Sequence, residues 1–71
     1  MANIRYIAIG KVLPKITIAY SRNGGKSWQE TILAAGQTFH VPPNCTNLLV
    51  DNVPYSPGRN IEIRDGRVSQ L

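Results

Sequence analysis

The sequence predicts an all-β domain, a small single-domain β-sandwich or barrel of six to seven short, mostly antiparallel strands, occupying residues 1–71 as one unit. Its segments are short, rich in β-branched residues and separated by Gly, Pro and Asn clusters, the pattern of a small sandwich or barrel. Helical periodicity is absent. The length fits one core and leaves no room for a second lobe, and neither an internal repeat nor a low-complexity tail is visible.

Taken in order, Ile4 to Ile9 is apolar except at Arg5 and Tyr6 and reads as a central strand, with Gly10 permitting a bend and Pro14 closing the connection. Ile16, Ile18 and Tyr20 alternate with Thr17, Ala19 and Ser21, which sets the larger apolar groups on one sheet face. Ser27 to Leu33 supplies the return strand, with Trp28, Glu30 and Ile32 on one side and Gln29, Thr31 and Leu33 on the other. Alternation alone leaves open which side is core. Ala34-Ala35-Gly36 breaks the pattern, and Thr38 to Val41 forms a short edge strand stopped by Pro42-Pro43. Leu48-Leu49-Val50 reads as a buried strand. Asp51-Asn52 and the segment carrying Pro54, Pro57 and Gly58 read as an ordered or functional loop rather than regular sheet. Ile61 and Ile63 share a face, Asp65-Gly66 is a short hairpin signature, and Val68 lies on the returning strand.

One segment carries a specific motif. Ser21-Arg22-Asn23-Gly24-Gly25-Lys26-Ser27-Trp28 resembles the Asp box of bacterial sialidases and other β-propellers, S-x-D-x-G-x-T-W, with Asn23 in place of the aspartate and Ser27 in place of the threonine. Both replacements keep a short side chain able to bond nearby backbone. The residues expected to build this structural hairpin are Ser21, Asn23, Gly25, Ser27 and Trp28: Asn23 holds the turn, the glycines accept positive φ, and Trp28 buries its ring behind the loop. Arg22 and Lys26 then project outward. In the families it resembles, the box is a repeated scaffold remote from the catalytic centre. A single copy in 71 residues is far short of a propeller, whose blades take roughly 40–50 residues each, so sialidase activity does not carry over.

Composition narrows the function classes. A chain this small buries only about 60% of its unfolded surface and usually gains support from disulfides, metal or oligomerisation. Cys45 is the only cysteine and His40 the only histidine, which excludes an internal disulfide and a four-ligand structural zinc site. Self-association is the remaining device. No apolar run approaches the roughly 20 residues that span a bilayer, and residues 1–10 lack the uninterrupted apolar stretch of a secretory signal. A cytoplasmic location without membrane association is therefore expected. On the same ground Asn44-Cys45-Thr46 is read as a chance match to a glycosylation acceptor. The net charge of +4 can attract polyanions, but the basic residues are scattered rather than run together.

No catalytic residues, cofactor or metal ligands are assigned. His40 and Cys45 lie five positions apart but are separated by two prolines, without an oxyanion-hole motif, and a lone Cys packs as a small hydrophobe. A nuclease would need a placed acid and base, which Glu30, Glu62 and His40 do not supply by spacing. The candidate ligand- or partner-binding residues are Arg22, Lys26, Tyr55, Arg59 and Asn60: two cations on a hairpin tip, and an aromatic platform with amide and guanidinium neighbours. The expected function is a non-enzymatic binding or assembly module, self-associating or bound to a protein partner. The alternative is a nucleic-acid or other polyanion binder using its scattered basic residues, and a small hydrolase or nuclease ranks third.

Overall fold

The computed structural model describes residues 2–8, 10 and 13–71. Among these there is no helix, and there are eight strands: β1 (Asn3–Tyr6), β2 (Ile16–Ser21), β3 (Gln29–Leu33), β4 (Thr38–His40), β5 (Asn47–Val50), β6 (Val53–Tyr55), β7 (Ile61–Arg64) and β8 (Arg67–Gln70). They form two four-stranded sheets, ordered β4-β1-β7-β8 and β3-β2-β5-β6. Every pairing is antiparallel except β1 with β7, which run parallel with Ile4 opposite Ile61.

Both sheets supply one core. Ile4 and Tyr6 of β1 and Ile61 and Ile63 of β7 meet Ile18 of β2, Leu33 of β3, and Leu48 and Val50 of β5, with Val41 beside them. The alternation in β2 is realised, Ile18 being fully buried while Ile16 and Tyr20 pack against the cluster. The side left open in β3 is settled by Leu33, which is buried while Glu30 and Ile32 are exposed. Tyr6 lies inside the core, its hydroxyl donating to the Pro14 carbonyl at 2.7 Å, the pairing a buried phenol requires. As a strand, β1 ends at Tyr6, although the Ile7 amide still bonds Ile63. Ile9, the last residue of the expected strand, lies outside the described residues.

The strand count is eight rather than six to seven, and much of the difference lies in the proline-rich segment read as loop. Asp51 and Asn52 both adopt positive φ, 51° and 64°, so they make a two-residue hairpin turn that returns the chain as β6. Pro54 is tolerated there for a directional reason. Thr17 and Ser21 of β2 accept hydrogen bonds from Asp51 and Thr46, so odd-numbered residues of β2 turn their backbone groups toward β5. Leu49, opposite Ala19, returns that pairing, leaving Leu48 and Val50 to bond Tyr55 and Val53. The nitrogen of Pro54 thus faces the outer edge, where no ladder donor is needed. The Asp65-Gly66 turn, with φ of 50° and 75°, joins β7 to β8 as its sequence predicts.

The central position of Ile63 gives a direct test. Ile63→Val is expected to cost about 0.5–1.5 kcal/mol and Ile63→Ala about 2–5 kcal/mol, read as a graded fall in the urea midpoint at constant m-value.

Candidate functional site

Topology gathers the loops of interest at one pole. The β2–β3 turn leaves sheet β3-β2-β5-β6 beside the start of β5 and the end of β6. The connection from β4 to β5 (41–46) and that from β6 to β7 (56–60) bridge the two sheets at the same pole. All five candidate binding residues, Arg22, Lys26, Tyr55, Arg59 and Asn60, therefore sit toward one end of the molecule. The turns at 34–37, 51–52 and 65–66 lie at the other. Segments 22–28, 41–46 and 56–60 contain Arg22, Lys26 and Arg59 and no Asp or Glu, so the loop pole is cationic.

The β2–β3 turn is built around Ser21, a polar residue that is almost wholly buried. Its hydroxyl accepts from the amides of Gly25 (2.9 Å) and Asn23 (3.3 Å) and donates to Asn23 Oδ1 (2.9 Å). Asn23 Oδ1 also accepts the Ser27 amide at 3.0 Å, while Asn23 Nδ2 donates to Ser27 Oγ at 2.8 Å. Asn23 thus holds the turn through its side chain, as its residue type predicts. Gly24 and Gly25 have φ of 75° and 93°, values for which glycine is suited. The turn is also tied to its neighbour: the Thr46 amide donates to the Ser21 carbonyl, and Thr46 Oγ1 accepts from the Gly24 amide, both within 2.9 Å. Sequence reasoning missed Thr46, because a contact 25 positions from Ser21 leaves no local pattern.

Trp28 corrects an expectation. The motif places its ring behind the loop, whereas the residue is 43% exposed. The parity of β3 explains this: Trp28 shares the side of Glu30 and Ile32, which faces away from the core. Its ring lies against Gly25, and its Nε1 donates to the Gly25 carbonyl at 3.1 Å, so the polar edge is satisfied while the residue stays exposed. Arg22 and Lys26 are exposed as predicted, but Trp28 joins them. The Arg22 guanidinium stands 5.9 Å from the Tyr20 ring centroid, within cation–π range.

The second part of the pole is a groove of about 710 Å³ with walls from Pro42, Pro43 and Pro57 and polar groups from Arg59 and Asn60. Asn60 Oδ1 accepts the Asn3 amide at 3.0 Å, which ties the side-chain amide to β1. Tyr55 does not line this groove; it is half-buried and packs on the core. The structure thus brings Arg59 and Asn60 into one cavity, sets Arg22 and Lys26 on the neighbouring turn, and uses Tyr55 for packing. The proline walls were visible in the sequence as loop boundaries, but the meeting of Pro42 and Pro43 with Arg59, 16 and more positions away, was not.

His40 and Cys45 are engaged separately. His40 Nδ1 lies 2.8 Å from Asn3 Oδ1, and the Cys45 thiol donates to the Asn47 carbonyl at 3.1 Å. Among the described residues no group of three or more His, Cys, Asp or Glu is placed to hold a metal, and no helix is long and apolar enough to cross a membrane. No protein-family model, curated protein or solved structure matches the chain.

A different basic surface lies on the sheet β4-β1-β7-β8. Arg5 lies opposite Glu62, and Arg64 opposite Arg67, on the side away from Ile4, Tyr6 and Ile63. The carboxylate of Glu62 pairs with Arg64 at 3.1 Å. Arg5, Arg64 and Arg67 against the one carboxylate of Glu62 leave these strand positions net positive, a second basic locus.

The Ser21 hydroxyl is expected to govern the turn. Ser21→Ala strands two amides and should cost about 1–3 kcal/mol, with faster hydrogen exchange at Gly25. Asn23→Asp keeps the acceptor for the Ser27 amide and replaces the Nδ2 donor by an oxygen to which the Ser27 hydroxyl can turn and donate, so it should change stability by less than about 1 kcal/mol. Urea titration followed by Trp28 fluorescence separates the two.

Proposed function

We propose that the chain is a non-enzymatic binding and assembly module of β-sandwich architecture, which takes an acidic protein partner at its loop pole and self-associates through another surface. The observation that carries this reading is the placement of Arg22, Lys26 and Arg59 with the exposed Trp28 at a pole whose loops contain no Asp or Glu. Trp and Arg are the residue types that dominate protein interfaces, where an aromatic gives area and a guanidinium gives direction. Loops on a rigid scaffold are the usual place for such groups. The bond pattern of Ser21, Asn23 and Ser27 supports reading the turn as an Asp-box type scaffold, and that role gives Arg22 and Lys26 a fixed platform. The separate engagement of His40 and Cys45 favours binding over nucleophilic chemistry.

A second reading, nucleic-acid binding, is favoured by Arg5, Arg64 and Arg67 on one sheet face. The two readings use different residues, so paired charge variants separate them. Protein captured by the wild-type chain from cells that produce it is identified by mass spectrometry, and its affinity is then measured with purified components. The loop-pole variant Arg22→Ser/Lys26→Ser/Arg59→Ser is expected to weaken binding by about tenfold or more, while Arg5→Ser/Arg64→Ser/Arg67→Ser leaves it unchanged. If instead short DNA or RNA binds at low salt, with log affinity falling against log salt at a slope of about −2.7 for three phosphate contacts, and the sheet-face variant removes it, the second reading replaces the first.

A further inference from the structure

Each sheet of four ends in two edge strands, and an edge presents unpaired backbone groups to any strand that fits. Three of the four edges are obstructed. β6 carries Pro54 with its nitrogen outward, and β4 is three residues long and runs into Pro42-Pro43. β8 begins at Arg67, and at its far end Gln70 reaches across to the Ser56 carbonyl. β3 has five residues and contains no proline, lysine or arginine.

We propose that β3 is a homodimerisation edge, pairing antiparallel with β3 of a second copy about a two-fold axis at Thr31. This rests on the reading of the chain as a self-associating module and names the surface it would use. The backbone directions select the strand groups. Odd-numbered residues of β2 face β5, so Ile16, Ile18 and Tyr20 face β3 and bond their partners Leu33, Thr31 and Gln29. The amides and carbonyls of Glu30 and Ile32 therefore point away from the sheet. Centred on Thr31, Glu30 of one copy lies opposite Ile32 of the other, and all four outward groups of each strand are paired, with Thr31 facing Thr31 at the non-hydrogen-bonded position.

Competing registers are penalised. Centring on Glu30 sets two carboxylates directly opposite each other. Centring on Ile32 brings Glu30 opposite Ala34 and needs the Ala34 amide, which already donates to Gln37 Oε1 at 2.9 Å. The Thr31 register avoids both. It also sets the 63% exposed Ile32 against the aliphatic stem of Glu30 in the second copy, while Thr31 meets Thr31, a favourable cross-strand pair. A second copy is the occupant that fits because the same five residues supply both sides of an isologous contact.

The test uses the full chain with Cys45→Ser as background. Sedimentation from about 10 µM to 1 mM, the range of a small and reversible interface, is expected to show a monomer–dimer equilibrium. Thr31→Cys should then cross-link to itself under mild oxidation, since non-hydrogen-bonded partners lie about 4.5 Å apart at Cα, and Ile32→Cys should not. Ile32→Pro removes an outward donor and no β2–β3 bond, and should return the monomer with an unchanged circular dichroism spectrum. Ile32→Lys, which keeps the strand's backbone donors, should strengthen the dimer about twofold or more by facing Glu30 of the second copy. A dimer in which Ile32→Cys cross-links, or neither cysteine does, overturns the β3 proposal and leaves self-association standing. A monomer throughout the range overturns both, while acidic-partner binding at the loop pole is decided separately by the charge variants.

Discussion

The hydrogen-bond directions of β2 constrain most of this molecule. In this strand two alternations coincide. Ile16, Ile18 and Tyr20 turn their side chains to the core and their backbone groups to β3; Thr17, Ala19 and Ser21 do the reverse, toward the outer face, where the following turn covers Ser21, and toward β5. Because a strand repeats every two residues, neither alternation can shift without the other. A slip of one residue would expose Ile18 and detach β5 together. The last odd residue, Ser21, then has its carbonyl committed to Thr46 and its hydroxyl free to organise the turn that follows. The burial of Ser21 is tolerable only because each of its polar groups is bonded.

That commitment links scaffold to surface. Ser21 fixes Asn23 and Gly25, Asn23 fixes Ser27, and Gly25 receives the Trp28 indole nitrogen. The positions flanking these bonds, Arg22 and Lys26, are left to solvent. Thr46 extends the chain of contacts into the 41–46 connection, whose prolines form the groove wall facing Arg59. An aromatic face held by its own polar edge loses little freedom on contact with a partner, which is the advantage of an ordered platform over a mobile loop. Conversely, three cations on loops that contain no Asp or Glu repel each other, a cost that a complementary acidic surface would relieve.

The sequence was most informative where periodicity and turn chemistry agree. The alternation in Ile16–Ser21, the buried pair Ile61 and Ile63, and the Asp65-Gly66 hairpin can all be read from local pattern. So can the holding of the Ser21–Trp28 turn by Asn23, because side-chain bonds over four residues are local. Legibility failed where a neighbour two or more strands away decides the outcome. Pro54 is acceptable in β6 only because its nitrogen points off the sheet, a fact set by Thr17 and Asp51 rather than by the residues around Pro54. Trp28 has the composition of a core residue and the parity of an exposed one, falling on the side of β3 that Glu30 and Ile32 expose rather than the side of Leu33. The Arg59–Asn60 groove depends on two sheet-to-sheet connections ending at the same pole, which only topology decides.

An antiparallel β3 contact and a loop-pole site are geometrically coupled. β3 runs from Gln29 at the loop pole to Leu33 at the opposite end, so a two-fold axis at Thr31 sends the loop poles of the two copies in opposite directions. Such a dimer presents two equivalent cationic poles facing apart. It is suited to bridging two separate acidic partners, and unsuited to gripping two adjacent sites on one rigid partner, since simultaneous engagement requires the span between sites to match the geometry. Assembly through β3 would consequently act as a connector rather than as a means of raising affinity at one surface. The opposite outcome, adjacent poles and an avidity gain on one partner, would require a parallel pairing of β3. A parallel pairing offsets identical residues along the two strands and cannot satisfy a closed two-fold contact within one sheet plane.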